Sequence, residues 1–303
     1  MSNTIERALQ RQKEAQQKKL QEIAESAEET QNTITPEDTS EQLATSKATV
    51  DTASQSELEP FKLDREWLQQ AGLVSLSDSR SKINEEYREI KRKLLRNAFG
   101  GLAKTLNNSN IIMVTSSRPS EGKTFTATNL ALSIAAEQDK TVLLVDADVL
   151  KPNVLNTLGL EKRPGIMEYL LGEKEDIADV LYPTSIDKLK IIPAGKSHHL
   201  STELLASQKM HDIVDEFANR YSDRVVIFDT PPLIGINESA ILANFAGQAV
   251  VVVEEGKSKI GDIKLAVERL NPDMAIGFVV NKSINSDSEG TGYYGYYYTQ
   301  REA

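Results

Sequence analysis

Residues 111–127 read IIMVTSSRPSEGKTFTA: an apolar run, a polar loop and the start of a helix-forming segment. The run 111–115 has the length and apolar content of a buried strand, and residues 123–138 have the spacing of a helix. A glycine directly before the lysine lets the backbone curl, so that successive N–H groups converge on an anion at the helix N-terminus. The stretch therefore predicts a phosphate-binding loop between a strand and a helix.

Working outward, continuous apolar runs alternate with helical patterns along the rest of the chain. Helices are predicted at 82–106, 207–221 and about 260–270, and further strands at 141–145, 190–193, 224–228, 249–253 and 275–280. Strands this uniformly apolar are typical of a parallel sheet that is covered on both faces. The sequence predicts an α/β fold over residues 82–285, a doubly wound, mostly parallel sheet of the P-loop NTPase type.

The regions outside this domain differ from it in composition. Residues 1–24 alternate Gln, Lys, Glu and Ala and predict an exposed helix, whereas 25–59 are rich in Ser, Thr and Glu and predict a disordered linker. Apolar residues return at 60–81, around the only tryptophan, which predicts a strap docked on the main domain. Residues 286–303 predict a flexible, tyrosine-rich tail.

Composition excludes several classes of function. A net charge of −10 and a pI near 5.0 argue against a general nucleic-acid binder, whose affinity would depend on clustered Lys and Arg. The chain has no cysteine and no apolar run of about 20 residues, so it predicts neither a disulfide framework nor a direct membrane span. We expect a cytoplasmic protein, with any membrane attachment made through a partner.

Candidate binding residues cluster in the loop and at two strand ends. Lys123 is expected to neutralise phosphates and the Thr124 hydroxyl to bind Mg2+. Three carboxylates follow predicted strands, and the carboxyl ends of parallel strands share one edge. The metal ligands are predicted to be Thr124, Asp146 and Asp229, and the catalytic residues Lys123, Asp146 and Asp148. Asp146 or Asp148 could serve as metal ligand or as proton acceptor.

Five of the nine tyrosines lie in a six-residue window of the glycine-rich tail. They are Tyr293, Tyr294, Tyr296, Tyr297 and Tyr298. So short a polar tail has no apolar complement with which to bury these rings. We therefore expect the hydroxyl groups to be presented to another site.

Four of these features together resemble the bacterial tyrosine kinases (BY-kinases). They are the loop 117–124, LLVDAD at 143–148, VIFDTPP at 226–232 and the tyrosine cluster, and the likeness extends over residues 82–303. Within that family the chain is most similar to exopolysaccharide-locus autokinases. The first loop position, Ser117, is a departure, since the motif usually has glycine there.

The resemblance implies a function, a set of cofactors and partners. ATP would be the donor, Mg2+ the metal, and the tail tyrosines the acceptors, phosphorylated between subunits of a ring. Its nucleotide-binding residues would be Ser120, Glu121, Gly122, Lys123, Thr124, Phe125 and Asn281, and its oligomer interface Glu85, Arg88 and Lys91. A membrane adaptor of the chain-length-regulator kind would hold the kinase at the inner face of the membrane and connect it to exopolysaccharide synthesis and export.

Two alternative hypotheses use the same residues differently. A partition or cell-division ATPase switch would hydrolyse ATP, but such proteins carry a second lysine early in the loop, where this chain has Arg118. Such a switch also has no use for clustered tyrosines. In a non-enzymatic hypothesis, the alternating Gly and Tyr residues of the tail self-associate. This hypothesis does not explain the three aspartates.

Overall fold

A computed structural model describes residues 58–75 and 81–283. The predicted helix 1–24, nearly all of the predicted linker and the five tail tyrosines lie outside the described residues. No helix in these two ranges is both long enough and apolar enough to cross a membrane.

A seven-stranded sheet forms the centre of the described fold. The strands are β1 (Ile111–Ser116), β2 (Thr141–Asp146), β3 (Tyr182–Pro183), β4 (Leu189–Ile192), β5 (Arg224–Asp229), β6 (Gln248–Glu254) and β7 (Ala275–Asn281). Their spatial order is β3-β4-β2-β5-β1-β6-β7, and every neighbouring pair except β3–β4 is parallel. The predicted mostly parallel, doubly wound sheet is confirmed. The antiparallel edge strand β3 has only two residues, too few for sequence periodicity to indicate.

Nine α-helices connect and cover the strands of the described region. They are α1 (Arg65–Gln70), α2 (Lys82–Phe99), α3 (Lys123–Ala135), α4 (Val154–Thr157), α5 (Ile166–Leu170), α6 (Ser201–Leu205), α7 (Gln208–Asn219), α8 (Asn237–Ala243) and α9 (Ile260–Val267). The helix predicted over 82–106 ends at Phe99, where Gly100 adopts an extended conformation, and a 3₁₀ turn follows at Gly101–Thr105. Helices α4, α5, α6 and α8 have four to seven residues and were not predicted, because so short a segment shows no clear period.

Residues 58–75 pack against the main domain. Phe61 and Leu68 are buried, and Phe61 forms an isolated bridge with Thr184 beside β3. The indole N–H of Trp67 donates to the carbonyl of Thr157 at 3.2 Å. The N–H of Val74 donates to the Asn129 side chain of α3 at 2.6 Å. This segment therefore braces the helix that begins at the predicted phosphate loop.

Candidate phosphate-binding site

The loop between β1 and α3 presents an open helix N-terminus. Gly122 occupies the cap position with φ +101°, a left-handed conformation that favours glycine, and no side chain caps the helix. The N–H of Thr126 bonds to the carbonyl of Gly122 at 2.9 Å and starts the helical ladder. The N–H groups of the residues before Thr126 have no carbonyl one turn earlier to bind. Free N–H groups at the end of a thirteen-residue helix are suited to binding an anion.

Glu121 points into the protein rather than toward a ligand. Its side chain is buried, and its carboxylate accepts hydrogen bonds from the Ser117 hydroxyl at 2.9 Å and from the Arg118 N–H at 2.8 Å. The hydroxyl of Ser258, between β6 and α9, donates to the same carboxylate. Ser117, which stands where the motif usually has glycine, thus contributes a bond that holds the loop. Of Glu121, only the backbone remains available to a phosphate.

The other predicted nucleotide-binding residues surround this loop. Ser120 is exposed and has φ +68°, which is uncommon for a residue with a side chain. Phe125 is half-buried and packs against the core. The Asn281 side chain donates through Nδ2 to the carbonyl of Glu121 at 3.0 Å. Asn281 therefore lies against the loop itself, and its contact with adenine stays a prediction.

Lys123 and Asp148 form a buried ion pair beside the loop. The Lys123 Nζ atom lies 3.7 Å from Asp148 Oδ2, and both side chains are at most 10% exposed. Burial raises the pKa of Asp148, and the ammonium of Lys123 opposes that rise. The other carboxylate oxygen of Asp148 accepts the N–H of Lys151 at 3.0 Å. The lysine that would neutralise phosphate thus lies next to a carboxylate that could accept a proton.

Asp146 and Asp229 end the neighbouring strands β2 and β5 in register with each other. One oxygen of Asp146 accepts the N–H groups of Asn153 and Val154, at 3.1 and 3.0 Å. Its other oxygen and both oxygens of Asp229 are buried and lack hydrogen-bond partners in the described structure. Such groups are rare in proteins, because each buried polar atom without a partner costs free energy.

The pKa values reflect this burial. Burial raises the pKa of Asp229 to about 7, although Lys123 opposes the rise. The Thr124 hydroxyl is near enough to oppose it too, without reaching good hydrogen-bond geometry. Burial also raises the pKa of Asp146, and the adjacent Asp229 raises it further. The ammonium of Lys123 therefore does not offset the burial of these two carboxylates.

These oxygens fit a magnesium ion. The unpartnered oxygens of Asp146 and Asp229 and the hydroxyl of Thr124 are hard ligands of the kind that Mg2+ prefers. Across 58–75 and 81–283, no three His, Cys, Asp or Glu side chains form a complete metal cage. A partial set is what a magnesium site has when water and substrate phosphate supply the remaining ligands.

Arg118 makes an ion pair within the chain. Its guanidinium binds both oxygens of Asp262, in the first turn of α9, at 2.7 and 2.9 Å. The Arg118 side chain is 58% exposed, and solvent screens an ion pair at the surface, so this pair contributes little to stability. Arg118, which stands where the switch ATPases have their second lysine, thus points toward α9.

The predicted interface residues on α2 do not all face outward. Arg88 forms an ion pair with Glu85 at the surface. In contrast, Lys91 is buried and contacts α3, donating to the carbonyl of Ser133 at 2.8 Å, and its ammonium lies 2.6 Å from the carboxylate of Glu137. Lys91 therefore stabilises the packing of α2 against α3 within its own chain. Arg92, next to it, is exposed and lies seven residues from Glu85, two turns along the same helix face.

Sequence reasoning missed four residues that connect β6, β7 and α9 to the loop. Three of them, Ser258, Asp262 and Lys282, contact the loop directly. The fourth, Glu254, reaches it through Lys282. Each is at least 130 positions from the loop along the chain, and each belongs to a residue type common on protein surfaces. No local pattern marks such residues, and only the pairing of β6 beside β1 and of β7 beside β6 brings them to the loop.

Comparisons with known proteins identify relatives of this chain. A family model described as an AAA domain matches residues 109–273. The tyrosine-protein kinase YwqD of Bacillus subtilis is 32% identical over 76% of this chain and 93% of its own length. The tyrosine-protein kinase Wzc of Salmonella typhimurium is 30% identical, and the aligned part is 62% of this chain but only 26% of that protein.

A solved structure extends the comparison to three dimensions. The kinase domain of the Escherichia coli tyrosine kinase ETK superposes with a TM-score of 0.62 and 26% identity. The superposition covers 78% of this chain and 85% of that domain.

Proposed function

The chain belongs to the bacterial tyrosine kinase family and is a protein-tyrosine kinase, and we propose that it transfers the γ-phosphoryl group of ATP to its own tail tyrosines. Membership in this family favours the kinase hypothesis over the switch ATPase. One observation carries the proposal: an open helix N-terminus, a buried lysine and unpartnered carboxylate oxygens meet at one sheet edge.

We propose that the loop residues bind the phosphates of ATP. The backbone N–H groups from Ser120 to Phe125 would hold phosphate oxygens, and the ammonium of Lys123 would neutralise the β- and γ-phosphates. Thr124, Asp146 and Asp229 would hold Mg2+. When bound, this ion neutralises charge that develops on the transferred group.

Asp148 is the group that we assign to proton transfer. A tyrosine hydroxyl oxygen forms a bond to the γ-phosphorus, the bond to the β-phosphate oxygen breaks, and ADP leaves. The hydroxyl proton goes to the Asp148 carboxylate, whose pKa is raised by burial and therefore lies closer to neutrality. Asp146 is less suited to this task, because one of its oxygens already accepts two backbone N–H groups.

The tail follows the end of β7, which lies beside the phosphate loop. This position suits the tail to act as the substrate. Strand β7 ends at Asn281, beside the loop, and Tyr293 follows twelve residues later. Twelve residues span at most about 40 Å, so the tail can extend to the site of a neighbouring subunit. We propose that phosphorylation takes place between subunits of a ring, with Glu85 and Arg88 of α2 at the interface.

The proposed setting follows from the family resemblance. A membrane adaptor of the chain-length-regulator kind would recruit the kinase to the inner face of the membrane. Cycles of phosphorylation would then regulate exopolysaccharide synthesis and export. Each added phosphate brings about −1.5 to −2 charges, so several in one tail would repel the acidic site and loosen the ring.

Mass spectrometry of the full chain after incubation with ATP and Mg2+ tests the acceptor assignment. We expect phosphate on tyrosines between 293 and 298. A variant with all five replaced by phenylalanine should lose most of its label and keep its ATP affinity. Full labelling of that variant would place the acceptors elsewhere.

A mixing experiment tests transfer between subunits. Lys123→Met keeps an intact tail but lacks the phosphate-binding lysine, whereas the five-phenylalanine variant keeps an intact site. Each alone should label weakly, and a mixture should label the tail of the Lys123→Met chain. Absence of label in the mixture, with each variant shown to assemble, would contradict the intersubunit proposal.

A further inference from the structure

The end of β7 is bonded to the phosphate loop by two consecutive side chains. Lys282 Nζ donates to the carbonyl of Ser120 at 2.8 Å, and Asn281 Nδ2 donates to the carbonyl of Glu121 at 3.0 Å. These carbonyls belong to successive peptide units of the loop. Residues 160 positions apart are thus joined where the proposed phosphate cradle is formed.

We propose that Lys282 and Asn281 are positioning residues, which orient the loop N–H groups that bind phosphate. All peptide bonds of the described residues are trans. In a planar trans unit the C=O of one residue and the N–H of the next point in opposite directions. Holding the Ser120 and Glu121 carbonyls toward β7 therefore turns the N–H groups of Glu121 and Gly122 to the other side of the loop.

Backbone conformation at both ends of this contact supports the assignment. Ser120 has φ +68° and Lys282 has φ +56°, and both are residues for which left-handed values are unfavourable. Such conformations persist only where surrounding contacts hold them in place, and they occur often at functional sites. Here the two residues hold each other through the bond from Lys282 to Ser120.

The Lys282 ammonium is itself held in place. It lies 3.1 Å from a carboxylate oxygen of Glu254, at the end of β6. Lys282 is the leading cause of the lowered pKa of Glu254, with Lys257 a lesser one. Glu254 thus fixes the cation that binds Ser120, and the three residues link the ends of β6 and β7 to the loop.

Asn281 adds a steric contact. A β-carbon at Gly122 would lie 1.9 Å from Asn281 Nδ2. The amide therefore packs directly against the cap residue of α3, and a larger side chain there would displace it. Both contacts come from residues just before the tail, so the segment that carries the substrate tyrosines begins at the support of the phosphate loop.

The inference rests on the proposed function, in which this loop binds ATP. Its test compares Lys282→Ala with Lys257→Ala in the full chain. Both variants remove an ammonium that lies near Glu254, but only Lys282 contacts the loop. We expect Lys282→Ala to weaken ATP binding and raise KM about five- to tenfold, with a much smaller change in kcat and an unchanged Tm. Lys257→Ala should match the wild type, and Lys282→Arg should recover most of the lost affinity.

Inorganic tripolyphosphate serves as a second probe, because it has phosphates and no adenine. Asn281→Ala should weaken tripolyphosphate as well as ATP if this side chain orients the loop. An unchanged tripolyphosphate affinity with weaker ATP binding would assign Asn281 to adenine and overturn its positioning role.

Lys123→Met separates failure of this inference from failure of the proposed function. If Lys123→Met loses ATP binding and Lys282→Ala stays within twofold of the wild type, the positioning role of Lys282 is wrong and the ATP site stands. If Lys123→Met binds ATP normally, the loop is not the ATP site, and both proposals are overturned.

Discussion

The two sides of the phosphate loop differ in how their polar groups are satisfied. On the β2 and β5 side, Asp146 and Asp229 have three buried oxygens without partners. On the β6 and β7 side, Glu254, Asn281 and Lys282 are bonded to the loop or to one another. A fully bonded network holds a conformation, whereas buried carboxylates without partners destabilise the protein until a cation reaches them. We therefore assign ligand binding to the first side and support of the loop to the second.

Lys123→Met should have the largest effect, because it removes the buried ammonium that lies against Asp148 and lowers the pKa of Asp229. Loss of a group that stabilises developing charge lowers kcat by at least about 100-fold. Anti-phosphotyrosine signal from purified protein measures this, with circular dichroism as the control for folding. A variant that keeps full signal would contradict the assignment of the site.

Asp229→Asn should separate stability from activity. We expect kinase activity to fall about 10- to 100-fold, as metal binding weakens. The metal-free protein should become more stable, by about 1–3 kcal/mol, because a buried carboxylate without partners is replaced by a neutral amide. Thermal unfolding in EDTA measures the second effect. A lower Tm there would show that Asp229 has a structural partner.

Asp229 should make the metal-free protein less stable as pH rises. An ordinary salt-bridged aspartate has the opposite effect on stability. Burial raises the pKa of Asp229 to about 7 in the folded state, so between its unfolded value and about 7 the folded protein binds the additional proton. Stability should therefore fall as pH rises toward 7 and level off above it. Asp229→Asn should reduce this slope in urea unfolding.

The affinity for magnesium nucleotide should increase as pH rises, whereas the stability of the metal-free protein falls. A metal ion needs the ionised carboxylate, and the ionised fraction of a group with a pKa near 7 increases roughly tenfold between pH 6 and 8. Binding titrations at fixed ionic strength measure it. A flat profile would show that Asp229 is already ionised at pH 6.

Gly122→Ala tests the supporting side. The added β-carbon would collide with Asn281, and φ +101° is unfavourable for alanine, so the cost is about 1–3 kcal/mol. We expect a several-fold loss of ATP affinity and a lower Tm. Gly101→Ala, where a β-carbon meets nothing within 4 Å, is the matched control and should leave both values unchanged.

The smallest effects are expected on α2, away from the site. Arg88→Ala removes an exposed ion pair and should change stability by less than about 1 kcal/mol. It should also reduce the size of the proposed oligomer, as measured by light scattering. Lys91→Ala should leave the size of the proposed oligomer unchanged. It should lower the free energy of unfolding by about 1–3 kcal/mol, because the buried contacts of Lys91 with α3 are lost. If Lys91→Ala alone dissociated the oligomer, our structural assignment of Lys91 would be wrong.

The functional residues on the β2 and β5 side of the loop could be predicted from the sequence, whereas the supporting residues on the β6 and β7 side could not. Asp146 and Asp229 could be predicted because each directly follows an apolar run, and because parallel strands end at a common edge. Lys282 and Glu254 could not be predicted, because their role depends on β7 lying next to β6 and β6 next to β1. Lys91 shows the same limit: spacing along α2 placed it with Arg88, and only the packing of α2 on α3 shows that it is buried.

From the sequence alone we could predict six of the seven strands, the long helices, the lysine and glycine of the loop, and the carboxylates at the strand ends. These properties are local, since apolar periodicity and residue type express them within ten or so positions. Three further properties became visible only in the folded chain: which carboxylate oxygens lack partners, which glutamate points inward and which lysine bonds to the loop. Those properties depend on burial and on contacts between distant segments, and folding alone brings such segments together.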